Sequence, residues 1–123
     1  MGRSYATTIA RGGGGSVCAR CGIADTPLTR LKGLLGKARL RSGEGLLIRP
    51  TSAVHTFFMR FSIDVVFLDQ ELVVVGVEAD LQPWRVAGRR GAKAVLELPA
   101  GESSRHGIRL GERLRLVDPR RGG

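Results

Sequence analysis

Short apolar runs rich in Val, Ile, Leu and Ala recur from one end of the chain to the other, each closed by glycine, proline or a few polar residues. Runs of that kind read as strands, and only one stretch carries helical spacing instead. Tyr5 to Ala10 and Ser16 to Ile23 flank four consecutive glycines, Gly12 to Gly15, and read as a hairpin with a loose turn. No Gly-Lys-Ser or Gly-Lys-Thr follows those glycines, so they are a flexible turn and not a phosphate loop. Gly45 to Ile48, Ala53 to Phe58, Ile63 to Leu68, Leu72 to Val77, Ala94 to Leu98 and Arg113 to Val117 are the remaining strands. Asp69-Gln70-Glu71 makes the third and fourth of these an antiparallel hairpin.

The helical stretch opens with Asp25 or Thr26 as cap and Pro27 at the first position, and continues through Leu28, Leu31, Leu34 and Leu35 until Gly36 stops it. Arg30, Lys32 and Lys37 lie on its solvated face. Glu102 to His106 can form one more helical turn before Gly107, while Asp80 to Gly91, with Pro83, Gly88 and Gly91, reads as a long loop. Strands and helices do not alternate repeatedly. The expected fold is therefore mainly β: a small antiparallel β-barrel or folded sheet of seven to eight short strands with one or two short helices, an α+β arrangement remaining open.

The chain has 123 residues, enough for one domain over 1–119, with 120–123 as a flexible tail. Hydrophobic residues at 42% and charged residues at 25% are the balance of a globular protein. The longest strongly apolar stretch, Leu72 to Val77, is far short of the ~20 residues a membrane helix needs, so no membrane partner is expected. No signal-peptide core follows Arg3, which points to a cytoplasmic chain with reduced thiols. Cys18 and Cys21 could be a redox pair or half a zinc site; no thioredoxin-like helix follows them and His55 and His106 lack a paired spacing, so they read as inert strand cysteines. No cofactor and no metal are expected. The net charge of +9 suggests weak, non-specific attraction to nucleic acid, yet 17 arginines scattered beside 18 glycines form no basic stripe with interleaved aromatics.

The densest chemistry lies in His55-Thr56-Phe57-Phe58-Met59-Arg60-Phe61-Ser62-Ile63-Asp64. On a strand, His55, Phe57 and Met59 share a face, with Arg60 and Asp64 supplying charge nearby. Apolar positions among convergent polar groups are what ligand pockets are made from, and equally what a core is made from. Both readings stand at this point. The segment, taken with Ala24-Asp25-Thr26-Pro27, Leu31-Lys32-Gly33-Leu34-Leu35-Gly36, Pro83-Trp84-Arg85 and Leu96-Glu97-Leu98-Pro99-Ala100-Gly101, with Gly107 and Gly111 beyond, resembles the family known as domain of unknown function 192. The resemblance runs over roughly residues 5 to 117 and implies a compact β-barrel-like domain of bacteria and archaea with no established activity. His55, Phe57, Met59, Arg60 and Asp64 match its most distinctive motif, with Trp84, Arg85, Glu97 and Gly101 elsewhere. Phe58 stands where the family commonly has Trp or Gly, and Ser62 where it commonly has Pro.

These residues define one leading expectation and two rivals. The first is a monomeric, non-enzymatic binding or assembly module whose cleft, formed by His55, Phe57, Met59, Arg60, Asp64, Trp84, Arg85 and Glu97, takes a small polar ligand or peptide. The second is a hydrolase with His55 as base and Asp64 or Glu97 as its orienting carboxylate, although no Ser or Cys lies in a nucleophile motif. The third is a nucleic-acid-binding protein, carried by charge alone. Asp64 enters an apolar strand and needs a partner there, with Arg60, Arg85 or backbone amides as candidates.

Overall fold

The computed structural model describes residues 7–34 and 36–117, apart from the side chains at 28, 31 and 32. The expected tail at 120–123, the beginning of the first strand, and the helix positions Leu28, Leu31, Lys32 and Leu35 therefore lie wholly or partly outside the described residues. The element order is β1 (Thr7–Arg11), β2 (Ser16–Ala24), α1 (Pro27–Lys32), β3 (Glu44–Ile48), β4 (Ala53–His55), β5 (Ile63–Leu68), β6 (Val74–Leu81), β7 (Val86–Gly88), β8 (Ala94–Pro99), α2 (Glu102–Arg105) and β9 (Leu114–Val117). Seven strands form one sheet in the order β6-β5-β8-β3-β2-β1-β9, and β4 pairs with β7 as a separate ribbon. Among the described residues only the β2–β3 pairing is parallel. The sheet curls until its edges meet at one end, where Val74 N donates to Glu112 O at 2.8 Å and Leu114 N to Leu72 O at 2.9 Å. The mainly β expectation holds, in the form of a half-barrel.

Central strands β5 and β8 are buried on both faces, which is why they read as continuous apolar runs without alternation. Their side chains still alternate. Val66, Leu68, Leu96 and Leu98 join Ile9, Cys18 and Leu114 in the core on the inside of the curl. Ile63, Val65, Phe67 and Val95 join Leu34, Val54, Met59 and Ala92 in a second core on the other face. That second face is what α1, the segment after it, and the β4–β7 ribbon cover.

Thr26 caps α1 as expected, accepting from Thr29 N at 3.2 Å. The helix stops at Lys32, earlier than the leucine spacing suggested, because Gly33 takes a left-handed φ of 51°. Three strand expectations also change. The strand expected over Ala53 to Phe58 ends at His55, where Met59 N donates to Thr56 O and closes a turn. The long loop expected over Asp80 to Gly91 holds the end of β6 and all of β7, since Val86 to Gly88 pair with Ala53 to His55.

The third change concerns the cysteines, which an unbroken strand would point to opposite faces. Thr7 pairs with Cys21 and Ile9 with Cys18, so β2 carries one more residue than β1 between the two rungs. That bulge leaves Ala19 and Arg20 exposed and turns both thiols into the same core. The cysteines are free, and the Cys21 thiol is pushed far above its ordinary range by its hydrogen bond with Cys18 and by burial. Among the described residues no helix is long and apolar enough to cross a membrane.

Candidate functional site

A cavity of about 110 Å³ lies between the outer face of the sheet and the elements that cover it. Leu34, Ile48, Val54 and Met59 supply its apolar wall. Arg30 of α1, Thr51, His55 at the end of β4, and Glu97 of β8 supply its polar groups. His55 is exposed and Glu97 is 3% exposed, so the first stands at the mouth and the second at the floor. Among the described residues, Glu97 Oε1 is the one buried side-chain oxygen or nitrogen without a hydrogen-bond partner. Burial pushes the Glu97 carboxyl up to about 8, so at neutral pH it is a protonated, neutral acid able to donate as well as accept.

Beside the mouth stands an exposed aromatic cluster. The His55 ring lies 4.9 Å from that of Phe57, which lies 5.8 Å from Trp84, which in turn meets Phe58 at 4.6 Å. Phe58 and Trp84 are 70% and 56% exposed, and both take left-handed backbone angles with φ of 67°. Left-handed backbone is costly for large side chains and persists only where the surroundings impose it. Here the imposing residue is Thr56, which is fully buried. Its carbonyl accepts from Trp84 N at 3.0 Å, its amide donates to Arg85 O at 2.8 Å, and its hydroxyl donates to Gln82 O at 2.6 Å while accepting from Arg85 N at 2.9 Å. One threonine thus clamps the 82–85 segment against the turn that follows β4. His55 Nδ1 accepts from Phe57 N at 3.2 Å, which leaves the proton of the neutral ring on Nε2.

Of the residues singled out in the sequence, His55, Met59 and Glu97 share the cavity, and Phe57 and Trp84 extend from its mouth. Arg60 and Arg85 are exposed, with the Arg85 guanidinium donating to Trp84 O at 3.5 Å. Asp64 lies elsewhere. It pairs with Leu98 on the rung next to Val65–Glu97, so its side chain leaves the opposite face of the sheet. There its carboxylate accepts from Asp80 N at 2.9 Å, from Ser103 N at 2.8 Å and from Ser103 Oγ at 2.5 Å. Backbone amides and a serine, not Arg60 or Arg85, are its partners. Arg30, Thr51 and Thr56 were not singled out from the sequence. Arg30 looked like one more cation on a solvated helix face, and nothing about a threonine between His and Phe announces burial.

The half-barrel covered on its outer face is a small mainly β fold that solved structures share. A chain of unknown function from Novosphingobium aromaticivorans superposes with a TM-score of 0.77 at 23% identity, over 89% of this chain and 83% of its own. A chain from Sinorhizobium meliloti described as a putative transcription regulator superposes with a TM-score of 0.81 at 21% identity, over 94% and 98%. At these identities the likeness is one of fold. The chain belongs to the DUF192 family (Uncharacterized ACR), whose model matches residues 8–116. Relatives described as UPF0127 proteins include one from Pyrococcus abyssi, 39% identical over 56% of this chain and 59% of its own, and one from Thermococcus sibiricus, 36% identical over 67% and 56%. The matched stretch spans less than two thirds of the length of either relative.

Proposed function

We propose that this chain is a non-enzymatic binding module that holds a small polar ligand in the cavity between His55 and Glu97, with the Phe57–Trp84 cluster as the outer wall of the site. The observation that carries this reading is the unpartnered, deeply buried Glu97 Oε1 at the cavity floor. A buried polar atom left without a partner costs about 1 to 3 kcal/mol, a cost a hydrogen-bonding ligand removes on binding. Asp64 and Glu97 were the two carboxylates that a hydrolase reading would set beside His55. Asp64 is engaged on the opposite face of the sheet, and Glu97 is a neutral acid at neutral pH, poorly suited to stabilising an imidazolium.

The test is amide chemical-shift mapping with a set of small polar molecules. Binding at the site moves the Gly33, Ala53, Met59 and Glu97 amides together. Shifts confined to the scattered arginines, or none across the set, would remove the site.

A further inference from the structure

The lining of the cavity specifies the ligand more narrowly than "small and polar", and this step rests on the binding reading above. We infer that the cavity is a site for a small aliphatic carboxylate, its charged end held between Arg30 and the Glu97 carboxyl and its chain lying on Leu34, Ile48, Val54 and Met59.

Three observations lead there. First, the formal charge at the mouth is positive: Arg30 lines the cavity, and Glu97 is the only acid among the described residues that do. Among the described residues Arg30 reaches back only to Asp25 O, at a long 3.5 Å, and forms no ion pair with a carboxylate, so its guanidinium can turn to an incoming anion. Second, Glu97 is the unusual member. Desolvation alone keeps it protonated at neutral pH, because the residues opposite it on β5 and β3 are Val65 and Leu46 and add no charge. Arg30 from α1 and His55 from β4 are the charged or titratable groups that face the same space. A protonated carboxyl offers an O–H donor to a carboxylate, and an acid and a carboxylate sharing one proton form a strong, short hydrogen bond. An ammonium ligand fits less well, since it would face Arg30 and would need Glu97 to ionise inside an apolar wall. Third, a cavity of about 110 Å³ is somewhat smaller than the ~150 Å³ cavity that accommodates benzene, which suits an acid of about two to four carbons.

The experiment titrates propionate, propylammonium and propanol into the protein at several pH values, following the Gly33 and Ala53 amides. Propionate is expected to bind. Its affinity should hold steady up to about pH 8 and fall about tenfold per unit above it, because the folded carboxyl that donates to the ligand is then lost. Glu97→Gln keeps a donor at every pH and nearly the same volume. It should retain propionate within a few-fold and lose the alkaline fall. If propylammonium or propanol moves the cavity amides and propionate does not, the carboxylate assignment fails while the binding site stands. Propionate binding with no alkaline fall in the wild-type protein equally overturns it, by removing Glu97 from the contact. If none of the three moves the cavity amides the carboxylate assignment also falls, and the wider set of polar molecules then decides the binding reading by itself.

Discussion

Asp64 and Glu97 show what one residue of register does to a carboxylate. They sit on adjacent rungs of the β5–β8 ladder and leave it in opposite directions, one into a closed hydrogen-bond network and the other into a cavity. Asp64 is fully buried and ties β5 to the end of β6 and to α2 through three donors. Asp64→Ala leaves the Ser103 amide and hydroxyl buried without an acceptor, and should cost about 2 to 3 kcal/mol in urea unfolding. Ser103→Ala removes one donor and leaves the carboxylate two others, so about 1 kcal/mol is expected. Equal losses for the two variants would mean that Ser103, not the carboxylate, anchors α2.

At the scale of elements, the Thr56 clamp positions the aromatic cluster, and its removal should be felt there before it is felt in the core. Thr56→Val keeps the shape and deletes the hydroxyl that bonds Gln82 O and Arg85 N. A loss of about 1 to 3 kcal/mol is expected, with faster amide exchange at Trp84 and Arg85 than in β5. Trp84 itself is more than half exposed, so Trp84→Ala should cost far less than the ~3 to 5 kcal/mol of a core aromatic. Its left-handed backbone makes Trp84→Gly at least as stable as Trp84→Ala, the reverse of the usual order inside a strand. A blue-shifted, quencher-protected Trp84 emission would contradict this. Strands β5 and β8, the two hairpins and the Thr26-Pro27 helix start were legible in the sequence, because apolar runs and caps are local signals. The β2 bulge, the β4–β7 ribbon and the face on which Asp64 lies were not, since each depends on which strand pairs with which. His55, Met59 and Glu97 could be chosen from the sequence as chemistry-bearing residues, but that Asp64 does not share their cavity follows only from register.

Across the whole molecule, three acids set how stability responds to pH, and they pull in opposite directions. Glu112 is held below the usual carboxylate range by its hydrogen bonds to Arg11 at 2.6 and 2.9 Å, and Glu102 by those to Arg105 at 2.8 and 2.9 Å. For both, the unfolded chain takes up protons first as pH drops through about 4.5, so their stabilisation is present above that value and lost below it. Glu97 has the opposite sign. Its carboxyl is raised from 4.5 to about 8, so over that interval the folded protein keeps a proton that the unfolded chain has released. Stability therefore falls as pH rises across the interval, by at most about 5 kcal/mol at 1.36 kcal/mol per unit. The thermal midpoint of the ligand-free protein should peak near pH 5, declining steeply on the acid side as Glu102 and Glu112 protonate, and steadily on the alkaline side until about pH 8. Glu97→Gln carries no ionisable group at the cavity floor and should keep the acid limb while flattening the alkaline one, so that it overtakes the wild-type protein above neutrality. Parallel alkaline declines in the two proteins would place the titrating group elsewhere.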